Sequence, residues 1–298
     1  MSKLLYHYAT GAGLLGMLKD YTKEKPNIKL WASHYMYMND PQEFKIGQKI
    51  CTEIIDMIES ELRIPKKYRV KTLIDNPIYQ TTYNTYIRTT DGQSICPYII
   101  SLSGINDSLH MWDMYAAKGN GIVIGFNNSK LLRANILAKD CFYCDINDQT
   151  STSDLIAKIK PYISSLYKSC AKEFPLKKIK EDIKNGFDIP LYQRIHYIHT
   201  VICGHIGIRI KNKAYQLEEE SRITINRKDT FEILFRDRNG IIIPYTEYSI
   251  PFDCVEKIVI GPTADFERVR ESILIFLNSK NIEWDIENII KSKVPYRL

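Results

Sequence analysis

Three consecutive acids open the stretch YQLEEESRI, Tyr215–Ile223. The residues after them, SRITI, read as a β-strand, where glutamate is normally sparse. Period-two alternation sorts the run into two faces. Glu219, Ser221, Ile223 and Ile225 share one face; Glu218, Glu220, Arg222, Thr224 and Asn226 share the other, polar at every position. Two roles fit that polar face. Facing water, Arg222 simply neutralises its neighbours, and exposed pairs contribute about 0–1 kcal/mol. Lining a cleft, Arg222 favours ionised carboxylates by proximity. An ionised glutamate only accepts hydrogen bonds, which suits holding sugar hydroxyls where positive charge develops.

Two further segments carry groups of the right kind. LYHYAT places His7 and Tyr8 at the end of a first predicted strand, and MWDMYAAKGNGIVIGF places Trp112 and Tyr115 on a helix just before another. Met111, Met114 and Tyr115 share a helix face by their i, i+3 and i+4 spacing, with Trp112 to its side. A buried stripe explains the methionines, whereas the Tyr115 phenol could both stack and hydrogen-bond. Asn39, Asp40 and Glu43 surround Pro41 in a predicted turn, with turn formation and helix capping set against cleft contact.

Other groupings point to structure. Cys141 and Cys144 form a C-x-x-C motif, but zinc needs a second pair or suitably spaced histidines. In a strand, residues three apart face opposite ways, so no metal site is expected. His196 and His199 share a face of a predicted helix while His205 lies nearly opposite, as core or surface histidines would. No phosphate loop of the Walker or Rossmann type occurs.

The elements that must position these groups are readable in outline. Strands are predicted at KLLYHYA, KLWAS, YIISLS, GIVIGF and CFYCDI, and again at SRITINR, TFEILFR, GIIIPYTEY and CVEKIVIG. Helical spacing runs from Ile46 to Leu62, with more helix between Ile78 and Thr89. The middle is predicted helical from about Ser153 to Glu173 and from Leu191 to Lys211. A last helix, Ala264–Lys280, is expected to be capped by Thr263. Strands at both ends with helices between them predict an α+β fold. We expect one domain over 1–298 with a helical insertion at about 152–211.

Composition narrows the class. The 298 residues are 44% hydrophobic and 26% charged, enough to bury a core. No apolar run approaches the ~20 residues of a membrane span, and the N-terminus lacks a signal-peptide core. Seven scattered cysteines fit reduced thiols better than a disulfide framework. A cytoplasmic, soluble protein without a membrane partner is the expectation. The net charge of +6 permits an acidic or nucleic-acid partner without requiring one.

LYHYAT, LWAS, NDPQEF, WDMYAAKGNGIVIGF and EEESR, in that order, resemble the marks of a bacterial family of unknown-function domains. The likeness runs from Leu5 to about Gly261. One departure is Ser221, where the family often has an aromatic residue. The N-terminal part also resembles the ADP-ribosyltransferase superfamily, in its DarT-like and RNA-phosphotransferase-like branches. That resemblance implies a split β-sheet core with NAD as substrate, and the large helical insertion would be added to it. It implies a histidine or arginine, a tyrosine or serine, and a glutamate around the dinucleotide. His7 would hold the ribose or amide of NAD, with Tyr8 beside it. Glu220 would be the catalytic carboxylate, with Glu218 serving the acceptor. Tyr115, Ser101 and Ser103 are alternatives for the middle member. Arg222 would keep Glu220 ionised or grip the pyrophosphate. The implied activity is ADP-ribosyl transfer to a protein or nucleic acid, as in a toxin or anti-phage defence effector. An NAD glycohydrolase and a non-catalytic nucleotide- or protein-binding module stand as alternatives. A homo-oligomer or defence-complex partner is compatible with all three.

Overall fold

A computed structural model describes residues 3–39, 43–76, 97–187, 189–226, 232–238 and 240–296. The first half contains β1 (Leu4–Ala9), α1 (Gly11–Met17), β2 (Asn27–His34), α2 (Glu43–Glu61), α3 (Val70–Ile74), β3 (Pro97–Ser103) and α4 (Leu109–Tyr115). Next come β4 (Ile122–Asn127), α5 (Asn128–Arg133), β5 (Ala138–Asp140), β6 (Phe142–Cys144), α6 (Gln149–Glu173), α7 (Leu176–Lys184) and α8 (Ile189–His205). The chain continues with β7 (Ile210–Asn212), β8 (Glu220–Asn226), β9 (Leu234–Arg238), β10 (Ile241–Pro251), β11 (Val255–Ile260), α9 (Phe266–Ser279) and β12 (Ile289–Lys291). The architecture is α+β. The helix expected between Ile78 and Thr89 lies outside the described residues.

Among the described residues ten strands join in one sheet, and its organisation creates the site. β3 pairs with β8 along its whole length, from Pro97↔Asn226 to Ser103↔Glu220. Its other edge is shared. β1 touches β3 at Tyr6↔Ser103, whereas β2 pairs only with the far end, at Ser33↔Ile99 and His34↔Tyr98. The sheet therefore splits. One wing runs β1–β4–β11–β12 and the other β2–β10–β9, and a gap opens between β1 and β2 over the middle of β3.

Alternation then assigns the faces. Leu5, Ala9, Leu30, Ala32, Ile100, Leu102, Ile223 and Ile225 point to a core closed by α1, α5 and α9. The opposite face carries Tyr6 and Tyr8 packed on Met111, Trp112 and Ala116 of α4. Within α4 the inward residues are Met111, Trp112 and Tyr115, while Met114 is exposed. The expected methionine stripe is thus corrected: the aromatic pair, not Met114, faces inward. Trp112 Nε1 donates to Asp107 Oδ1 at 2.7 Å, which satisfies its polar edge inside the core.

A separate helical core joins α2, α3, α6, α7 and α8 around Ile54, Ile159, Ile163, Ile195, Ile198 and Ile202. Histidine 199 belongs to it, with Nε2 3.1 Å from Thr52 Oγ1. Burial raises the thiol pKa of Cys144, and both C-x-x-C cysteines are buried. Two expectations about element ends are corrected. The N-cap of α9 is Asp265, which accepts from Arg268 N, whereas Thr263 Oγ1 donates to the Lys118 carbonyl. Likewise α8 ends at His205, so Lys211 belongs to β7, paired in parallel with β6.

Candidate functional site

The gap between the wings is a cavity of about 320 Å³. Its walls include His7 and Tyr8 of β1, Ser101 and Ser103 of β3, Tyr115 of α4, and Glu218 and Glu220. Chain ends more than two hundred positions apart thus meet here. The register explains part of this convergence. Ser103 lies opposite Glu220 and Ser101 opposite Arg222, so these side chains share the sheet face that borders the gap.

The acidic run is not one continuous strand, as the alternation predicts; β8 begins at Glu220. Glu218 instead ends the short 3-10 helix Lys213–Glu218, and Glu219 adopts a left-handed conformation at φ 41°, ψ 50°. That backbone region is costly for a side-chain-bearing residue. Ser103 and Gly104 hold it in place: Ser103 Oγ donates to Glu218 O at 2.7 Å, and Gly104 N donates to Glu219 O at 2.8 Å. The reversal exposes Glu219 and turns both neighbours inward. Glu218 and Glu220 are each 4% exposed.

Two buried cations match the two buried carboxylates. Lys211 Nζ donates to Glu218 Oε2 at 2.7 Å and to Glu220 Oε2 at 2.5 Å. Arg222 donates to Glu220 through Nε at 2.8 Å and Nη2 at 3.0 Å. Arg222 Nη1 also donates to the Ile208 carbonyl. Burial pushes the Glu220 carboxyl pKa up, but Arg222 and Lys211 overcome it and hold the group at about 2. Glu220 is therefore an ionised acceptor at neutral pH. The water-facing role is excluded for Glu220 and for Arg222, which is 1% exposed. Arg222 sits behind Glu220 and does not line the main cavity.

The remaining wall groups are oriented as well. Tyr115 Oη donates to Glu218 Oε1 at 2.7 Å and accepts from Asn39 Nδ2 at 3.1 Å. Burial first, and then Glu218, raise the Tyr115 pKa, so the phenol stays protonated. Asp40 and the side chain of Glu43 lie outside the described residues. His7 Nδ1 is 3.2 Å from Ser101 O. As that partner is an acceptor, Nδ1 carries the proton, and Nε2 is left as the acceptor of the neutral ring. Burial, with Arg236 nearby, lowers the His7 pKa below its usual value. Tyr8 Oη donates to Ile105 O at 3.0 Å and its ring meets Trp112 edge-on at 5.2 Å, so it supports the wall.

Residues 111–223 match a family described as Protein of unknown function (DUF2971). No curated protein and no solved structure matches the chain. The matched segment carries Tyr115, Lys211, Glu218, Glu220 and Arg222, while His7 lies outside it. No group of three or more His, Cys, Asp or Glu side chains suited to a metal occurs among the described residues. No helix among them is long and apolar enough to cross a membrane.

Sequence reasoning missed Lys211, Arg236 and Arg238, all of which line the cavity. The signal for Lys211 was masked. Ile198, Ile202, Ile206 and Ile210 recur every four residues and extend the helical pattern past the true end of α8. Ile206, Ile208 and Ile210 also alternate with period two, and Gly207 punctuates the run.

Proposed function

We propose that the protein is an NAD-consuming enzyme of ADP-ribosyltransferase type that modifies a macromolecule. The observation carrying this reading is the meeting of His7 and the ionised Glu220 in one cavity of a split sheet. The resemblance of the N-terminal segment to ADP-ribosyltransferases supports it, and a cleft between two wings is the arrangement that resemblance implies.

The residues can be given roles. The bond that breaks joins nicotinamide to ribose, through an oxocarbenium-like transition state as in glycoside cleavage. Glu220 accepts from a ribose hydroxyl and stabilises the developing charge. Lys211 and Arg222 keep that carboxylate ionised and fixed, so it needs no reorientation during the reaction. Glu218, oriented by Tyr115, accepts the proton of the attacking nucleophile. His7 offers its Nε2 lone pair to the amide or a ribose hydroxyl. Ser101 supplies the carbonyl that holds His7 in this tautomer.

The charge balance favours a second reading. Two carboxylates face two cations within hydrogen-bond distance. A site so internally neutralised would also serve to bind a nucleotide without turnover.

The test is nicotinamide release from NAD, with and without cell lysate as acceptor source. Glu220→Gln should lower release by about 100-fold or more, the size expected for losing a preorganised electrostatic group. Equal rates would remove Glu220 from the mechanism. Release without label transfer from NAD to a macromolecule would mean hydrolysis. NAD binding without release in lysate would establish the second reading.

A further inference from the structure

The cavity has a second end that the roles above leave unused. It is built by the other wing: Trp31 and Ser33 of β2, and Arg236 and Arg238 of β9. Arg236 and Arg238 stand two apart on an edge strand, so their side chains share one face. Arg236 reaches back over β10. Its guanidinium lies over the rings of Trp31 and Tyr245, 5.4 and 5.6 Å from their centroids. Its Nη2 donates to Ser33 Oγ at 2.7 Å. Arg238 Nη2 is 3.5 Å from the Tyr37 carbonyl.

This end is electrostatically unlike the other. Lys211 and Arg222 are matched by carboxylates, but Arg236 and Arg238 have no ion pair among the described residues. The buried Arg236 Nε has no hydrogen-bond partner among them. Leaving a buried donor unmade is costly. Burial and the charge of Arg238 both act against the Arg236 cation. Rings on β2 and β10 fix the guanidinium, so its fork is preorganised for an incoming anion.

We propose that Arg236 and Arg238 form a diphosphate subsite, which grips the central diphosphate of a dinucleotide whose ribose lies at Glu220. This rests on the reading of the ligand as NAD. It also reassigns a role: Arg222, the arginine that the sequence offers for the pyrophosphate, lies behind Glu220 and outside the cavity wall. Planar guanidinium forks match phosphate oxygens bidentately, and two cations on one strand face suit a group carrying two negative charges. His7 lines the same cavity and lies close enough to feel the Arg236 charge. Both arginines lie beyond the segment matched by the family.

Calorimetric titration of the full chain with ADP, ADP-ribose and adenosine tests the subsite. Wild-type protein should bind ADP and ADP-ribose at least about tenfold tighter than adenosine, with affinity falling as salt rises. Arg236→Gln and Arg238→Gln should each weaken ADP by about 10- to 100-fold, the loss expected for charge-assisted hydrogen bonds, and leave adenosine unchanged. Arg236→Lys, which keeps the charge without the fork, should fall between. Thermal unfolding of each variant confirms that it is folded. Wild-type protein that prefers adenosine, or that fails to bind ADP, overturns the proposal. Folded glutamine variants that bind ADP as wild type does also overturn it. Arginine-dependent ADP binding without nicotinamide release would leave the subsite standing and remove the enzyme reading. Nicotinamide release with arginine-independent ADP binding would do the reverse.

Discussion

Glu220 is where the acidic run becomes chemistry, and its burial makes a claim about pH. A carboxylate 4% exposed would normally resist ionisation. Arg222 and Lys211 reverse this and hold its pKa at about 2, against an ordinary value of 4.5. The folded state therefore binds that proton more weakly than the unfolded chain does. Its stabilising contribution is complete above pH 4.5 and is lost as pH falls from there to about 2. Denaturant unfolding of wild type and Glu220→Gln across this window should show their stability difference shrinking, by an amount on the order of 3 kcal/mol. Parallel curves would mean that the carboxylate is not held as described. The sequence carried part of this site, because Glu220 and Arg222 follow strand alternation, but the register that sets Ser101 opposite Arg222 shows only in the fold. Glu218 reaches the same cavity by a different route, the left-handed Glu219, which no periodicity encodes.

Elements place the cations that match those acids. The Ile208 carbonyl lies in the turn after α8, which packs directly against α2, and Lys211 follows it on β7. A Cβ on Gly47 would come 2.0 Å from the Gly207 carbonyl oxygen, so only glycine in α2 allows the turn to sit this close. Gly47→Ala must push the turn outward, and with it the acceptor of Arg222 Nη1 and the root of Lys211. Overpacking of this kind costs about 1–3 kcal/mol, or several degrees in the thermal midpoint of a chain this size. Gly11→Ala, with nothing within 4 Å of the new carbon, should be close to neutral by the same measurement. Most elements were legible from their patterns, since strands such as β2 and helices such as α2 bury a face with the expected period. The end of α8 was not. Isoleucines at 198, 202, 206 and 210 satisfy a helical period whether or not the backbone continues as helix, and they outweigh the break that Gly207 marks.

At the scale of the molecule, two structures meet: a split sheet that opens the cavity, and a helical layer beside it from whose last helix the chain runs on to Lys211 in the cavity wall. The helical layer is not only an insertion. Helices α2 and α3, from before β3, complete its core together with α6, α7 and α8. A buried polar chain ties these parts together. Tyr167 Oη donates to Glu59 Oε1 at 2.9 Å, Arg194 Nη2 donates to Tyr167 Oη at 2.8 Å, and Val70 N donates to Glu59 Oε2 at 2.8 Å. Glu59 is fully buried and Arg194 nearly so. Such a chain was illegible in sequence, because Arg194 stands among isoleucines on a helix with little polar face to mark it. Removing one member leaves the other charge uncompensated, which costs about 3–5 kcal/mol. Arg194→Met should therefore destabilise the protein by that amount in urea, and Glu59→Gln added to it should restore part of the loss. Hydrogen exchange locates the effect: α6 and α8 amides should open first, before those of β4 and β11. Because Lys211 follows the end of α8, the same variant should also loosen the grip on Glu218 and Glu220 and weaken ADP-ribose binding, although Arg194 touches neither. A variant destabilised as expected but with unchanged ADP-ribose affinity would show that the sheet alone sustains the cavity and that the helical layer serves some other surface.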